Sequence, residues 1–124
     1  MIGLFLIYLT NVFVAGWISI TSLFAPKVAQ QTIFEGTVAY SEVIRLVGTL
    51  WGAIFLLSIL GLFLPLQMSL VLLFQLIYKG SWLLFVAIPA QRSDQPYPRG
   101  MATFFLVWVL VLPLVIPWKD LLGG

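Results

Sequence analysis

A lysine stands alone in QLIYKGSWLLF, residues 75–85: Lys79 is the sole charged residue between Arg45 and Arg92. An amine in such a run either marks the water boundary of an apolar helix or lies within it. Inside a membrane, an ionisable group is a candidate for contacting a ligand anion, a proton or a substrate. Gln75 lies one helical turn earlier on the same face. Asn11, in the first apolar run, falls at a similar depth, and Thr49 is a further neutral candidate. Together these groups can make a ligand-binding cluster or a polar clasp that only ties helices to one another; the residues alone leave both readings open. Glu42 and Arg45, three apart and so on one helix face, read as an interfacial anchor, with a lipid head group as the other use for the pair.

Little other chemistry is on offer. Cysteine and histidine are absent, which removes disulfide exchange, thiolate nucleophiles, imidazole bases and His or Cys ligation of zinc or haem. No metal site and no catalytic set is expected. An acid–base enzyme would have to use Lys79, Glu42 or a tyrosine such as Tyr78 with no evident second catalytic group at the same depth, so an enzyme ranks third among the readings. A proton-coupled exporter of the small multidrug-resistance type needs a glutamate in the first span, and that span has no acid.

The elements that position Lys79 follow from composition. Of 124 residues, 62% are hydrophobic and 8% charged, against about half and a quarter in soluble domains. The expected class is an all-α integral membrane four-helix bundle. Six basic and four acidic residues are too few for the clustered basic face that nucleic acid requires. Residues 1–24 do not read as a secretory signal, because a basic start is missing and the apolar run is too long.

Ile2 to Phe24 is uncharged and long enough to cross a hydrocarbon core of about 30 Å; Ala25-Pro26-Lys27 stops it. Residues 25–37 read as a loop or a short interfacial helix. The run from Leu46 to Tyr78 holds 33 uncharged residues, about 50 Å as one helix, and must fold back near Gly61 and Pro65. Span two is then about Tyr40 to Phe63 and span three about Leu66 to Ile88, ended by Pro89. Residues 90–100 form an exposed loop, and Met101 to Trp118 makes span four, with Pro113 inside it. One domain, 1–124, accounts for the whole chain.

This segmentation places Lys79 near the bilayer midplane. A lysine there costs about 2.5–3.5 kcal/mol on the insertion scale, while the twelve Leu, Val, Ile and Phe residues between Leu70 and Ile88 return about 4–7 kcal/mol. The helix inserts with its lysine. Helical side chains lean toward the N-terminus, so Lys79 leans away from Glu42, and Gln75 or Asn11 is the expected partner.

Gly48 and Gly52 form a GxxxG, and Ala15 and Ser19 belong to a stripe of small residues on span one. Small residues let helices approach closely, so these faces are expected to pack inside the bundle. Trp17, Trp51 and Trp82 read as core or lipid-facing bulk, and Trp118 and Tyr97 as interfacial. The loops carrying Lys27, Arg92 and Arg99 face Lys119 and the terminal amine across the membrane. The positive-inside rule puts the loops in the cytoplasm and both termini outside, across a bacterial inner membrane.

In RLVGTLW (45–51), GLF (61–63), QLIYKGSWLL (75–84) and PYPRG followed by MATFFLVWVLVLP (96–113), the chain resembles small bacterial four-span proteins of the DoxX-like type and an uncharacterised bacterial membrane family. The resemblance implies a helical membrane bundle and supplies no catalytic residue. The leading functional expectation is an accessory component that packs, within the lipid bilayer, against other membrane protein subunits. The alternative is a binding or transport module for a lipid, a quinone-like molecule or another apolar ligand at a polar pocket around Lys79.

Overall fold

The computed structural model describes residues 2–122, and their regular structure is entirely helical. Helix α1 spans Ile2–Phe24, α2 Pro26–Thr32, α3 Val43–Phe63, α4 Leu70–Arg92, α5 Arg99–Val115 and α6 Trp118–Leu122. Helices α1, α3 and α4 are each long and apolar enough to cross a membrane. At 17 residues, α5 is apolar but only about 25 Å long. The chain is thus an all-helical membrane bundle that turns large apolar side chains such as Phe13, Phe63, Phe85 and Leu114 outward. The terminal amine invoked for orientation lies outside the described residues.

Several boundaries differ from the sequence expectation, mostly at prolines. Helix α4 starts at Leu70, after a turn over residues 64–69, and runs past Pro89 to Arg92. Pro89 has no N–H, and its ring crowds the carbonyl four residues back. A π-helical turn over Leu83–Ala87 widens the backbone just before the proline, so the helix passes through where a stop was expected. Helix α3 begins at Val43, not Tyr40, and α5 ends at Val115, because Ile116 is extended and Pro117 follows. The Trp118 indole donates to the Pro113 carbonyl at 2.9 Å, occupying one of the last acceptors of α5.

The segment after α1 resolves into a short helix. Pro26 sits in its first turn, where a missing N–H costs nothing, and α2 turns Ala29 inward while Ile33 follows into the core.

Two kinds of packing build the bundle. Along α1 and α3 the backbones lie close. Ser19 donates its hydroxyl to the Gly48 carbonyl at 2.8 Å, Ala15 is buried beside it, and a Cβ added at Gly48 would stand 2.9 Å from Leu23 Cγ and 3.1 Å from the Leu23 backbone nitrogen. One added at Gly52 would stand 2.9 Å from Ser19 Oγ. Further along the seam the Tyr8 ring covers Gly61, and its hydroxyl donates to the Pro65 carbonyl at 2.7 Å, pinning the α3–α4 turn to α1. Helices α4 and α5 meet each other and the seam through large side chains instead. One apolar cluster, around Trp51 and Phe105, fills the end near α2, and another, around Leu72 and Trp108, fills the end near the α3–α4 turn.

Candidate functional site

Lys79 lies two residues from residue 81, the centre of α4, and is fully buried. Its amine has no hydrogen-bond partner among the described residues. It lies instead among five aromatic rings: Trp51 at 5.3 Å, Tyr78 at 5.8 Å, Phe104 at 5.1 Å, Phe105 at 5.3 Å and Trp108 at 5.1 Å from amine to ring centre. Phe104, Phe105 and Trp108 come from one face of α5, the last four residues after the first, as helical spacing requires. Ring faces carry negative charge and attract a cation at these distances.

The expected hydrogen bonds from the Lys79 amine to Gln75 or Asn11 do not form. Those two amides answer each other: Asn11 Nδ2 donates to Gln75 Oε1 at 2.8 Å, and Gln75 Nε2 to Asn11 Oδ1 at 3.4 Å. A primary amide carries both donor and acceptor, so a second amide satisfies it reciprocally, whereas a lysine offers only donors. The pair links α1 to α4 through the middle of the bundle. Thr49 takes no part: it is exposed on the outer face of α3 and donates to its own helix at Leu46 O, 2.7 Å away. One position from Gly48 is a rotation of about 100°, enough to carry it from the seam to the outside. Glu42 and Arg45 are exposed at the start of α3, 3.8 Å apart and away from Lys79.

Beside the lysine lies a cavity of about 660 Å³. It opens between the seam and the α4–α5 half, near the α2 end, and every helix but α6 contributes to its wall. Seven aromatic residues line it: Trp17, Phe34, Trp51, Tyr78, Trp82, Phe104 and Phe105. Four of these, Trp51, Tyr78, Phe104 and Phe105, also surround the Lys79 amine, so the amine and the cavity are separated by one layer of rings. Trp51 and Phe105 stack at 6.3 Å, and Trp82 meets Phe105 edge-on at 5.3 Å.

Glu35 also lines the cavity, and no motif in the sequence marks it. Its carboxylate accepts the Gly100 N–H at 2.6 Å, at a helix start where backbone donors are free and a negative charge is favoured. Glu35 and Gly36 both take left-handed backbone angles, φ 53° and 69°, and that double reversal turns the chain to aim the carboxylate at α5. The acid therefore ties the connection between α2 and α3 to the start of α5 across 65 residues of sequence. The aromatic enclosure had a visible signal in FFLVW, residues 104–108, but the tryptophans read as bulk because nothing in the sequence paired them with Lys79.

No family model, no curated protein and no solved structure matches the chain, and the likeness to DoxX-like proteins remains an expectation drawn from its residues and span layout.

Proposed function

We propose that this protein is a four-span membrane module that binds a single apolar molecule, lipid-derived or quinone-like, in the aromatic-walled cavity. The observation that carries this reading is the cavity itself: about 660 Å³, within the range of small-molecule sites, mostly apolar and with few polar groups on its wall. The accessory role expected from the sequence rested on the lack of other chemistry, and the cavity gives the alternative a physical basis. Helix α5 completes the fourth crossing with its flanking residues, and we place the connections holding Lys27 and Arg92 in the cytoplasm by their positive charge, across a bacterial inner membrane. Single cysteines introduced at positions 30 and 95 of this cysteine-free chain should label from the same face; labelling from opposite faces removes the topology.

The binding test uses an alkyl diazirine probe on protein purified in mild detergent, with cross-links mapped by mass spectrometry. Saturable labelling of Val14, Ile18 and Met101 is expected, and Val47→Phe, which pushes a ring into the cavity, should reduce it at least tenfold. Labelling that is unsaturable and confined to outward-facing residues such as Phe13 and Leu114 rejects the module.

A further inference from the structure

We infer that the cavity's ligand is a planar ring compound carrying a carbonyl oxygen, and that Lys79 is the residue that reads that oxygen. This rests on the cavity being a binding site and adds the chemistry of what it holds. Three buried polar atoms in this region have no hydrogen-bond partner among the described residues: the Lys79 amine, the Trp108 indole nitrogen and the Tyr78 hydroxyl. The amine lies 5.1 Å from the Trp108 ring centre and 5.8 Å from the Tyr78 ring centre, so the three side chains are neighbours. The lysine amine donates whether charged or neutral, an indole only donates, and a tyrosine hydroxyl can donate. A group of donors is completed by an acceptor. Buried donors left without one are costly and are the exception in folded proteins.

The walls specify the rest of the molecule. Trp51, Tyr78, Phe104 and Phe105 each border both the cavity and the amine, and flat rings favour flat partners by offset stacking or edge-to-face contact. A ring compound lying against these side chains has to shift one of them to bring an exocyclic oxygen to the amine. A neutral carbonyl is favoured over a carboxylate on two counts. Carrying a carboxylate to the middle of the membrane adds a large desolvation cost. The cavity's charged wall residue, Glu35, is also an acid that would repel an incoming anion. A carbonyl accepts a hydrogen bond from the amine without either penalty.

Fluorenone and fluorene separate these ideas, since they share one planar ring system and differ in the carbonyl oxygen. Each competes against the alkyl diazirine probe for cavity labelling in detergent, at free concentrations corrected for micelle partition. Fluorenone should compete at a concentration at least tenfold lower than fluorene. In Lys79→Met that ratio should fall to within twofold of one, and Trp108→Phe, which keeps a ring and removes the indole donor, should lower it partway. Equal competition by the two compounds in the unmodified protein overturns the carbonyl inference while leaving the cavity a binding site; a ratio that survives Lys79→Met overturns the role of the lysine. Loss of saturable probe labelling altogether refutes the binding module itself. If Lys79→Met does not fold, the unmodified protein still decides whether the carbonyl is read, and an unchanged ratio in Trp108→Phe overturns the assignment of that oxygen to the donor group around Lys79.

Discussion

The α1–α3 seam and the α4–α5 half solve the same packing problem in opposite ways. Between α1 and α3, glycine, alanine and serine bring backbones close enough for a side-chain hydroxyl to reach a main-chain carbonyl at 2.8 Å. Between α4, α5 and the seam, helices are held apart by indoles and phenyl rings. In lipid the hydrophobic effect does not drive helices together, so van der Waals contact and hydrogen bonds decide how closely they pack. Small residues achieve contact along a continuous line. Large rings achieve it at a few points and leave space between them, and the cavity forms where the two styles meet. The close-packed half is a scaffold and the aromatic half a container.

The largest effect expected from breaking this contrast is at Gly61. An added Cβ there would overlap the Tyr8 ring at three of its carbon atoms, and that ring is fixed by its hydrogen bond to Pro65. Gly61→Ala should destabilise the protein by about 2–4 kcal/mol, combining overpacking with a lost hydrogen bond, measured by unfolding in mixed detergent micelles. Gly80, on α4, is the counterpart: a Cβ there meets nothing within 4 Å, and Gly80→Ala should be neutral or stabilising by up to about 1 kcal/mol. Similar losses at both positions would mean that the halves are packed alike.

A smaller effect is expected where the halves are tied together. Asn11→Leu leaves the buried Gln75 amide without its partner and should cost about 1–2 kcal/mol, near the upper end for interhelical hydrogen bonds in membranes. Adding Gln75→Leu removes the orphaned group, so the double variant should be more stable than Asn11→Leu. A double variant that loses as much as the two single variants together would show that the amides act separately.

Much of the scaffold was legible because its signals are local. Uncharged runs mark the helices, and Gly48, Gly52, Ala15 and Ser19 mark a face by spacing alone. Depth was legible too, since Asn11 and Gln75 do meet in mid-bundle. Rotation was not. Thr49 lies on the right helix but on its outer face, and Gln75 meets an amide with both donor and acceptor in place of the lysine. The container was hidden for another reason: Phe34 and Glu35 reach it just after a seven-residue helix, where the chain turns at Glu35 and Gly36 in left-handed conformation, and no periodicity encodes how such a connection folds back. Pro89 misled because the π-helical turn that absorbs it depends on a backbone adjustment several residues earlier.

The smallest expected effect falls on the residue that most invites attention. Lys79 gains attraction from five rings, each worth about 0.5–2 kcal/mol at best, and they compete for one amine and do not add fully. Against this stands the removal of an amine from water, which costs several kcal/mol and is not offset here by any hydrogen bond. The two terms nearly cancel. Lys79→Met keeps the length and apolar volume of the side chain while removing both, so stability should stay within about 1 kcal/mol of the unmodified protein, with any shift toward greater stability. Unfolding in mixed micelles, without added ligand, checks this. A loss above about 2 kcal/mol would mean that the amine's contacts with the rings hold the α4–α5 half together, and the lysine would then belong to the scaffold. A stable Lys79→Met protein shows that the lysine does not hold the scaffold together, and leaves the fluorenone-to-fluorene ratio to show whether it serves the container.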